Sequence, residues 1–458
     1  MDRVDHFGRD LFVVLDREDR RPLRVQLEEQ LRDGVRDGRL HAGTALPSTR
    51  ALAAELGVAR GVVVEAYGQL VAEGFLVARR GSATRVAKVA PAVGPPTAAP
   101  IARIPSVGFD LRPESAERGA FPRGPWLAAM RRALAAAPDA DLGYGSWAGA
   151  PKLRSVLAAY LGRSRGVVAA ADDIVVTAGI TQAIALLAGL LRARGARRVL
   201  VEEPGFWQHR TILRRAGLEL VPIEVDGGGL RTDALPAAAA ALVTPAHQFP
   251  TGAVLAPERR AALLEWATAH DALVIEDDYD GEYRYDREPL GALQGLGAGR
   301  VAYLGSTSKT LAPALRLGWM ALPGALAGAI ADERGWADGG SPALDQLALA
   351  SFIERGELDR HLRRMRLRYR RRRDRLVAAL GEHVPDNVVG GAAAGLHVTV
   401  ALAPEADVDA VLARASARGV GVFAAHHAGR PLLLVGYANI AEEAIEPAVR
   451  ALAAAVRA

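Results

Sequence analysis

Residues 89–108, VAPAVGPPTAAPIARIPSVG, constrain this 458-residue chain more than any other stretch. Pro91, Pro95, Pro96, Pro100 and Pro105 exclude a helix interior or a central strand. With Arg103 as its single charge, the stretch reads as an extended, semi-rigid linker. It divides the chain into a head, residues 10–88, and a body, residues 109–458. The length independently argues for two or three cores.

The head has a compact helical rhythm. Pro22 precedes a stripe of Leu23, Val25, Leu27, Leu31 and Val35 that ends near Gly38. Ser48 reads as the N-cap of a helix over Thr49–Leu56, with Gly57 as its stop. A further helix is expected from about Ala59 to Glu73. Phe75–Val77 and Thr84–Ala87 then read as a hairpin around Arg79-Arg80-Gly81. Short helices joined by a tight turn and followed by a hairpin describe a winged helix-turn-helix. In such a unit the second helix of the pair enters the DNA major groove, and the wing meets backbone or minor groove. Ser48, Arg50 and Arg60 lie at helix starts, where phosphate contacts are made, and Arg79, Arg80 and Arg85 lie on the wing. Over the whole head the basic excess nearly vanishes, so arrangement rather than charge supports DNA binding.

The body alternates apolar strands with helical stretches, as in DIVVTAG before TQAIALLAGLLRARG and RRVLVEEP before FWQHRTILRRAG. That pattern implies an α/β fold with a mostly parallel sheet, whose ligands sit beyond the carboxyl ends of the strands. From about 343 a long arginine-rich helix and shorter strands suggest a small α+β subdomain reaching 458. The run from Arg360 to Arg375 reads first as a solvated helix face, with a DNA or dimer surface as the alternative.

Composition removes several chemistries. There is no cysteine, hence no disulfide, thiol nucleophile or cysteine-bound zinc, in keeping with a reducing cytoplasm. The longest uncharged stretch, Ala234–Pro257, is broken by three prolines and does not read as a membrane span. Only Lys88, Lys152 and Lys309 supply amines among 57 basic residues. Arginine cannot replace them in Schiff-base chemistry, because its guanidinium stays protonated.

GSTSKTLAPALRLG, residues 305–318, is the most specific motif. It offers an amine on Lys309 with Ser306, Ser308 and Arg316 as phosphate partners, the grouping a pyridoxal 5'-phosphate (PLP) site requires. VIEDDYDGEYRY, residues 274–285, places carboxylates at a strand end. Asp277 is the choice for a pyridine-nitrogen partner and Tyr279 for the 3'-oxygen. A metal site of Glu276, Asp277, Asp278 and Asp280 is the alternative, weakened because consecutive strand residues alternate faces. TAGITQAI offers the Ile180–Thr181 turn to a phosphate, a weak signal alone. Phe206 and Trp207 offer a platform for the cofactor ring.

Together these segments resemble the MocR subfamily of GntR-type bacterial regulators, a winged helix-turn-helix fused to a fold-type I aminotransferase-like domain. The resemblance rests on GRLHAGTALPSTRALAAELGVARGVVVEAYGQLVAEGFL in the head. In the body it rests on TPAHQFPTG, EDDYDGEYRY and STSKTLAPALRLGW. It implies Lys309 as the Schiff-base lysine, Asp277 on the pyridine nitrogen and Tyr279 near the 3'-oxygen. It also implies Ser306, Ser308, Arg316 and the Ile180–Thr181 backbone at the phosphate, and Phe206 near the ring. A cytoplasmic homodimer that binds a double-stranded operator is the expected assembly.

The chain departs from the pattern. Ala59 stands where a serine often precedes Arg60, and Gly81-Ser82-Ala83 replaces a Gly-x-Gly wing. Phe249 occupies the place of the Asn that true aminotransferases carry before the PTG turn, with Gln248 beside it as a candidate cofactor contact. Their carboxylate-binding arginine falls at Leu434 or a neighbour, and the nearest basic residue is Arg430. An apolar side chain cannot replace a bidentate guanidinium. The expectation is a PLP-responsive regulator without efficient turnover, with a working aminotransferase and a cofactor-free dimerisation scaffold as rivals.

Overall fold

The computed structural model describes residues 13–79, 81–88, 107–113, 116–285, 290–385, 387–391 and 393–457. The chain forms two compact units, residues 1–104 and 105–458. The division falls in the proline-rich stretch 89–108, of which all but 107 and 108 lie outside the described residues.

In the head, α1 (Leu23–Arg36), α2 (Thr49–Leu56) and α3 (Arg60–Ala72) precede the hairpin β1 (Leu76–Val77) and β2 (Arg85–Val86). Ser48 caps α2 by accepting from the Ala51 N–H at 3.2 Å, and Gly57 ends it at φ +61°. Leu27, Leu31, Leu52, Val63, Ala66 and Leu70 close one core, and Leu76 pairs with Val86 across the hairpin. The Tyr67 hydroxyl reaches that core's edge and donates to the Pro47 carbonyl at 3.1 Å.

The body begins with β3 (Phe109–Asp110), α4 (Arg123–Ala136) and α5 (Pro151–Arg165). The sheet then alternates β4 (Ile174–Thr177), α6 (Ile180–Ala193), β5 (Arg198–Glu203), α7 (Trp207–Arg215), β6 (Glu219–Asp226), β7 (Gly229–Leu230) and β8 (Ala240–Val243). It continues through α8 (Pro257–Ala269), β9 (Leu273–Asp277), β10 (Val301–Ser306) and β11 (Gly318–Ala321). The spatial order is β4-β11-β10-β9-β8-β5-β6-β7. β6, β5, β8, β9 and β10 pair in parallel; β11 runs against both β10 and β4, and β7 against β6. Strands β4, β8 and β10 are buried along their whole length, as a sheet covered by helices on both faces requires.

The remainder holds α9 (Gly324–Asp338), α10 (Ala343–Glu354), α11 (Glu357–His383), β12 (Val388–Gly390), β13 (His397–Ala401), α12 (Val408–Ala417), β14 (Val420–Gly421), β15 (Phe423–His427), β16 (Arg430–Gly436) and α13 (Ile445–Arg457). Its sheet has the order β12-β13-β16-β15. A separate parallel pair joins β14 to β3, so this C-terminal part recruits the first strand of the body.

The arginine run is only partly a solvated face. Arg363, Arg370 and Arg371 are exposed, but Arg372 is buried. Arg372 donates to the Ala438 carbonyl at 2.7 Å and meets Glu117 at 3.1 Å. Arg366 donates to the Glu282 carbonyl, and Arg373 lies 4.9 Å above the Tyr285 ring. Several of these cations therefore pin α11 to the rest of the body.

Candidate functional site

The carboxyl ends of β4, β5, β8, β9 and β10 carry the residues of interest. Thr177 ends β4, and Gly179 turns the chain into α6 at φ +108°. A Cβ on Gly318 would lie 2.7 Å from the Gly179 Cα, so two glycines let this turn press on β11. The Arg316 guanidinium lies over the same turn, 3.6–3.8 Å from where a Gly179 Cβ would stand. Arg316 holds a left-handed backbone at φ +50°, uncommon for a residue with a side chain. The first N–H groups of α6, on Ile180 and Thr181, have no intrahelical acceptor. The Ser308 N–H donates to Ser306 Oγ at 3.0 Å. Ser306 pairs with Gly318, so the end of β10, the Arg316 guanidinium and the N-terminus of α6 lie together, chemistry that suits a phosphate.

The acidic motif sends its carboxylates to different partners, which answers the metal alternative. Glu276 accepts from the Leu293 and Gln294 N–H groups. Asp278 pairs with Arg165 at 2.7 and 2.9 Å and accepts from the Tyr303 hydroxyl at 2.7 Å. Asp280 Oδ2 meets His247 Nδ1 at 3.0 Å. Asp277 Oδ2 lies 3.4 Å from His209 Nδ1, and its Oδ1 is buried without a hydrogen-bond partner. Among the described residues, one group has metal-like convergence, His247, Asp280 and His397, and it excludes three of the four proposed carboxylates.

Electrostatics single out Asp277. Burial raises its pKa well above the ordinary carboxylate range, and the neighbouring Asp278, Asp280 and Glu202 raise it further, against the pull of Lys309. Burial lowers His209 to about 3, so its imidazole is neutral. A protonated ring nitrogen beside Oδ1 would supply the missing partner and restore the charge on Asp277. The residues therefore fit a pyridinium.

Around them stand Phe206, which meets His209 at 4.8 Å and Phe249 at 5.3 Å between ring centroids, and Tyr279, whose hydroxyl lies 3.0 Å from His247 Nδ1. Lys309 Nζ donates to the Pro113 carbonyl at 3.0 Å. Gln248 is buried, and its amide donates to Glu202, Pro204 and Phe249 and accepts from Thr251, so it ties the end of β5 to the loop that carries Phe249. His209, His247 and His397 escaped the sequence reading. His209 had a usable signal, three residues after Phe206 on one helix turn.

In the head, Arg50, Arg60, Arg79 and Arg85 are exposed. Arg60 Nε lies 3.4 Å from Thr49 Oγ1, so the starts of α2 and α3 are neighbours. Arg85 donates to the Gly43 carbonyl at 2.8 Å, which fastens the wing. Arg80 lies outside the described residues.

Residues 119–452 match the family described as aminotransferase class I and II, and residues 23–86 the bacterial regulatory proteins of the gntR family. A probable rhizopine catabolism regulatory protein MocR of Rhizobium meliloti is 37% identical over 396 residues, covering 82% of this chain and 80% of that one. The chain belongs to the MocR subfamily of GntR-type regulators. A second MocR-type relative, the HTH-type pyridoxine biosynthesis transcriptional regulator PdxR of Corynebacterium glutamicum, is 35% identical and covers 91% of each chain. The MocR-type body also resembles a kynurenine aminotransferase of Pyrococcus horikoshii, with a TM-score of 0.70 and 25% identity over 77% of this chain and 91% of that one. The fold class expected from the sequence, a winged helix-turn-helix joined to an aminotransferase-like α/β domain, is the one found. The aminotransferase family is PLP-dependent, and a GntR head implies DNA binding. No helix among the described residues is long and apolar enough to cross a membrane.

Proposed function

We propose that this MocR-type protein is a cytoplasmic, homodimeric transcriptional regulator whose body binds PLP and whose head binds a double-stranded operator according to PLP occupancy. The observation that carries the reading is the buried, unpartnered Oδ1 of Asp277 at the end of β9, with Lys309 close enough to act on its charge. Asp277 keeps a proton on the ring nitrogen, and His209 orients Asp277 through Oδ2. Tyr279 faces the 3'-oxygen, and Phe206 flanks the ring. Ser306, Ser308, Arg316 and the Ile180 and Thr181 N–H groups take the phosphate. Gln248 shapes the loop that carries Phe249. When bound, PLP supplies an aldehyde for the Lys309 amine and an electron-withdrawing ring. In the head, Ser48, Arg50, Arg60, Arg79, Arg80 and Arg85 form the operator face. Coupling requires PLP to bind two arrangements of the chain with different affinity.

Turnover is disfavoured by Leu434, buried in the middle of β16 opposite Thr399 and Phe423, where an amino-acid substrate would need a guanidinium. Purified protein is expected to show a visible absorption band that borohydride removes and that Lys309→Ala lacks. Its binding to DNA from its own upstream region should change when PLP is added. Steady transamination of an amino acid with a keto acid, lost in Lys309→Ala, would favour an enzyme instead. A chain without the band would favour a dimerisation scaffold.

A further inference from the structure

The segment from Val107 to Pro113 carries the chain out of the end of the proline-rich stretch, and three groups of contacts grip it. The Phe109 and Leu111 N–H groups donate to the Gly419 and Gly421 carbonyls at 2.9 Å. The Gly436 N–H donates to the Leu111 carbonyl at 2.6 Å, and Asn439 and Arg112 hold Asp110. The fit is close: a Cβ on Gly436 would lie 2.8 Å from the Arg112 carbonyl oxygen and 3.0 Å from the Pro113 Cα. Leu111 is fully buried. Gly419, Gly421, Gly436 and Asn439 all belong to the C-terminal part of the body, while Arg112 braces Asp110 from within the segment. The third grip belongs to the sheet side, where Lys309 Nζ donates to the Pro113 carbonyl at 3.0 Å.

We propose that the Lys309–Pro113 hydrogen bond is the element through which cofactor occupancy acts on the chain that leads to the head. This inference rests on PLP binding at Lys309 as read above. As an uncondensed ammonium, Lys309 carries three donors and can hold the Pro113 carbonyl. On condensation with the aldehyde, two of the amine's hydrogens would leave with the carbonyl oxygen as water, and the nitrogen would hold a double bond to carbon in their place. The nitrogen would then keep at most one hydrogen. The Pro113 carbonyl then loses this donor, five residues from the end of the proline-rich stretch at Gly108. The same atom thus answers two demands that exclude each other, holding the segment or holding the cofactor.

The test compares Lys309→Ala with Lys309→Arg in the full-length protein, since neither can condense with an aldehyde but only arginine keeps a long cationic donor. Hydrogen exchange is followed at the Phe109, Leu111 and Gly436 amides, and binding to the chain's own upstream DNA is measured in parallel. Without PLP, Lys309→Ala is expected to exchange at these amides about tenfold faster than wild type, the effect of losing one hydrogen bond to a charged group. It should match wild type with PLP in both exchange and DNA affinity. Lys309→Arg should stay at the PLP-free wild-type level whether or not PLP is present. Equal behaviour of the two variants, or slower exchange on PLP addition to wild type, overturns the proposal. Failure of the PLP reading looks different: wild type then develops no visible band, while the comparison of the two variants still decides whether the Lys309 donor holds the segment.

Discussion

Asp277 Oδ2 stands 3.4 Å from Nδ1 of His209, while Asp277 Oδ1, on the same buried carboxyl, meets no donor. One oxygen is oriented by the protein and the other is reserved. That division of labour allows the two to be tested apart.

Asp277→Asn removes the charge that holds a ring proton and should weaken PLP retention by about 10–100-fold, the range of a charge-assisted hydrogen bond. His209→Asn leaves Oδ1 in place and should cost less than about tenfold. Loss of the visible band on dialysis, timed for each variant, checks the order.

Glu202 gives the body a pH dependence of defined sign. Burial pushes its carboxyl from 4.5 up to about 7, although Thr244 and Gln248 hydrogen-bond it. Below 4.5 both folded and unfolded chains hold the proton, so the term vanishes. Between 4.5 and about 7 the unfolded chain releases it first, and stability falls as pH rises. The full effect is about 3 kcal/mol at 1.4 kcal/mol per pKa unit. Glu202→Gln should flatten this fall in denaturant titrations run across that range.

Arg165 and Asp278 form a fully buried ion pair, with Gly281 packed against both. Arg165→Met strands the carboxylate and should destabilise the body by about 3–5 kcal/mol. Arg165→Met combined with Asp278→Leu should recover much of that loss, because no uncompensated charge remains. Chemical denaturation of the three chains separates pairing from packing.

Gly395 holds φ +77°, and a Cβ there would collide with the His247 ring. Its carbonyl also accepts from the Tyr285 and Tyr437 hydroxyls. Gly395→Ala should cost about 3 kcal/mol or more, from backbone strain plus overpacking, and should shift the thermal midpoint accordingly. An alanine variant as stable as wild type would show that β13 can move away from the His247 loop.

Arg60 is exposed at the start of α3. Arg60→Ala should weaken binding to the upstream DNA and reduce the slope of log affinity against log salt by about 1. An unchanged slope would remove Arg60 from the phosphate contacts.

What the sequence made legible was local. The cap at Ser48, the stop at Gly57 and the hairpin partners near Leu76 and Val86 depend on residues a few positions apart, and each lies where the pattern put it. The strand ends that carry Asp277 and Ser306 were legible too, because apolar runs stop there at polar residues. What escaped was pairing over distance. Nothing in a window around Asp278 points to Arg165, more than a hundred residues earlier, and nothing around Asp277 names His209 as its partner. The antiparallel placing of β11 between β4 and β10 escaped for the same reason, since strand direction is set by the connection and leaves no trace in hydropathy. Gln248 shows the converse. Its position beside Phe249 suggested a ligand contact, but a buried amide must also satisfy its own donors and acceptor, and Glu202, Pro204, Phe249 and Thr251 do so.

The seating of β4 at the sheet's edge has a consequence for how the protein is made. Among the described residues its one neighbour is β11, which lies about 140 residues further along the chain. During synthesis at roughly 5–20 residues per second, β4 leaves the ribosome on the order of ten seconds before its partner exists. The Gly179 turn and the Arg316 guanidinium that lies over it are brought together by that same late pairing. The head, complete by residue 88, therefore emerges with its own core well before the proposed phosphate site can form. A nascent chain of this protein has the means to fold its DNA-binding unit long before it has the means to hold PLP.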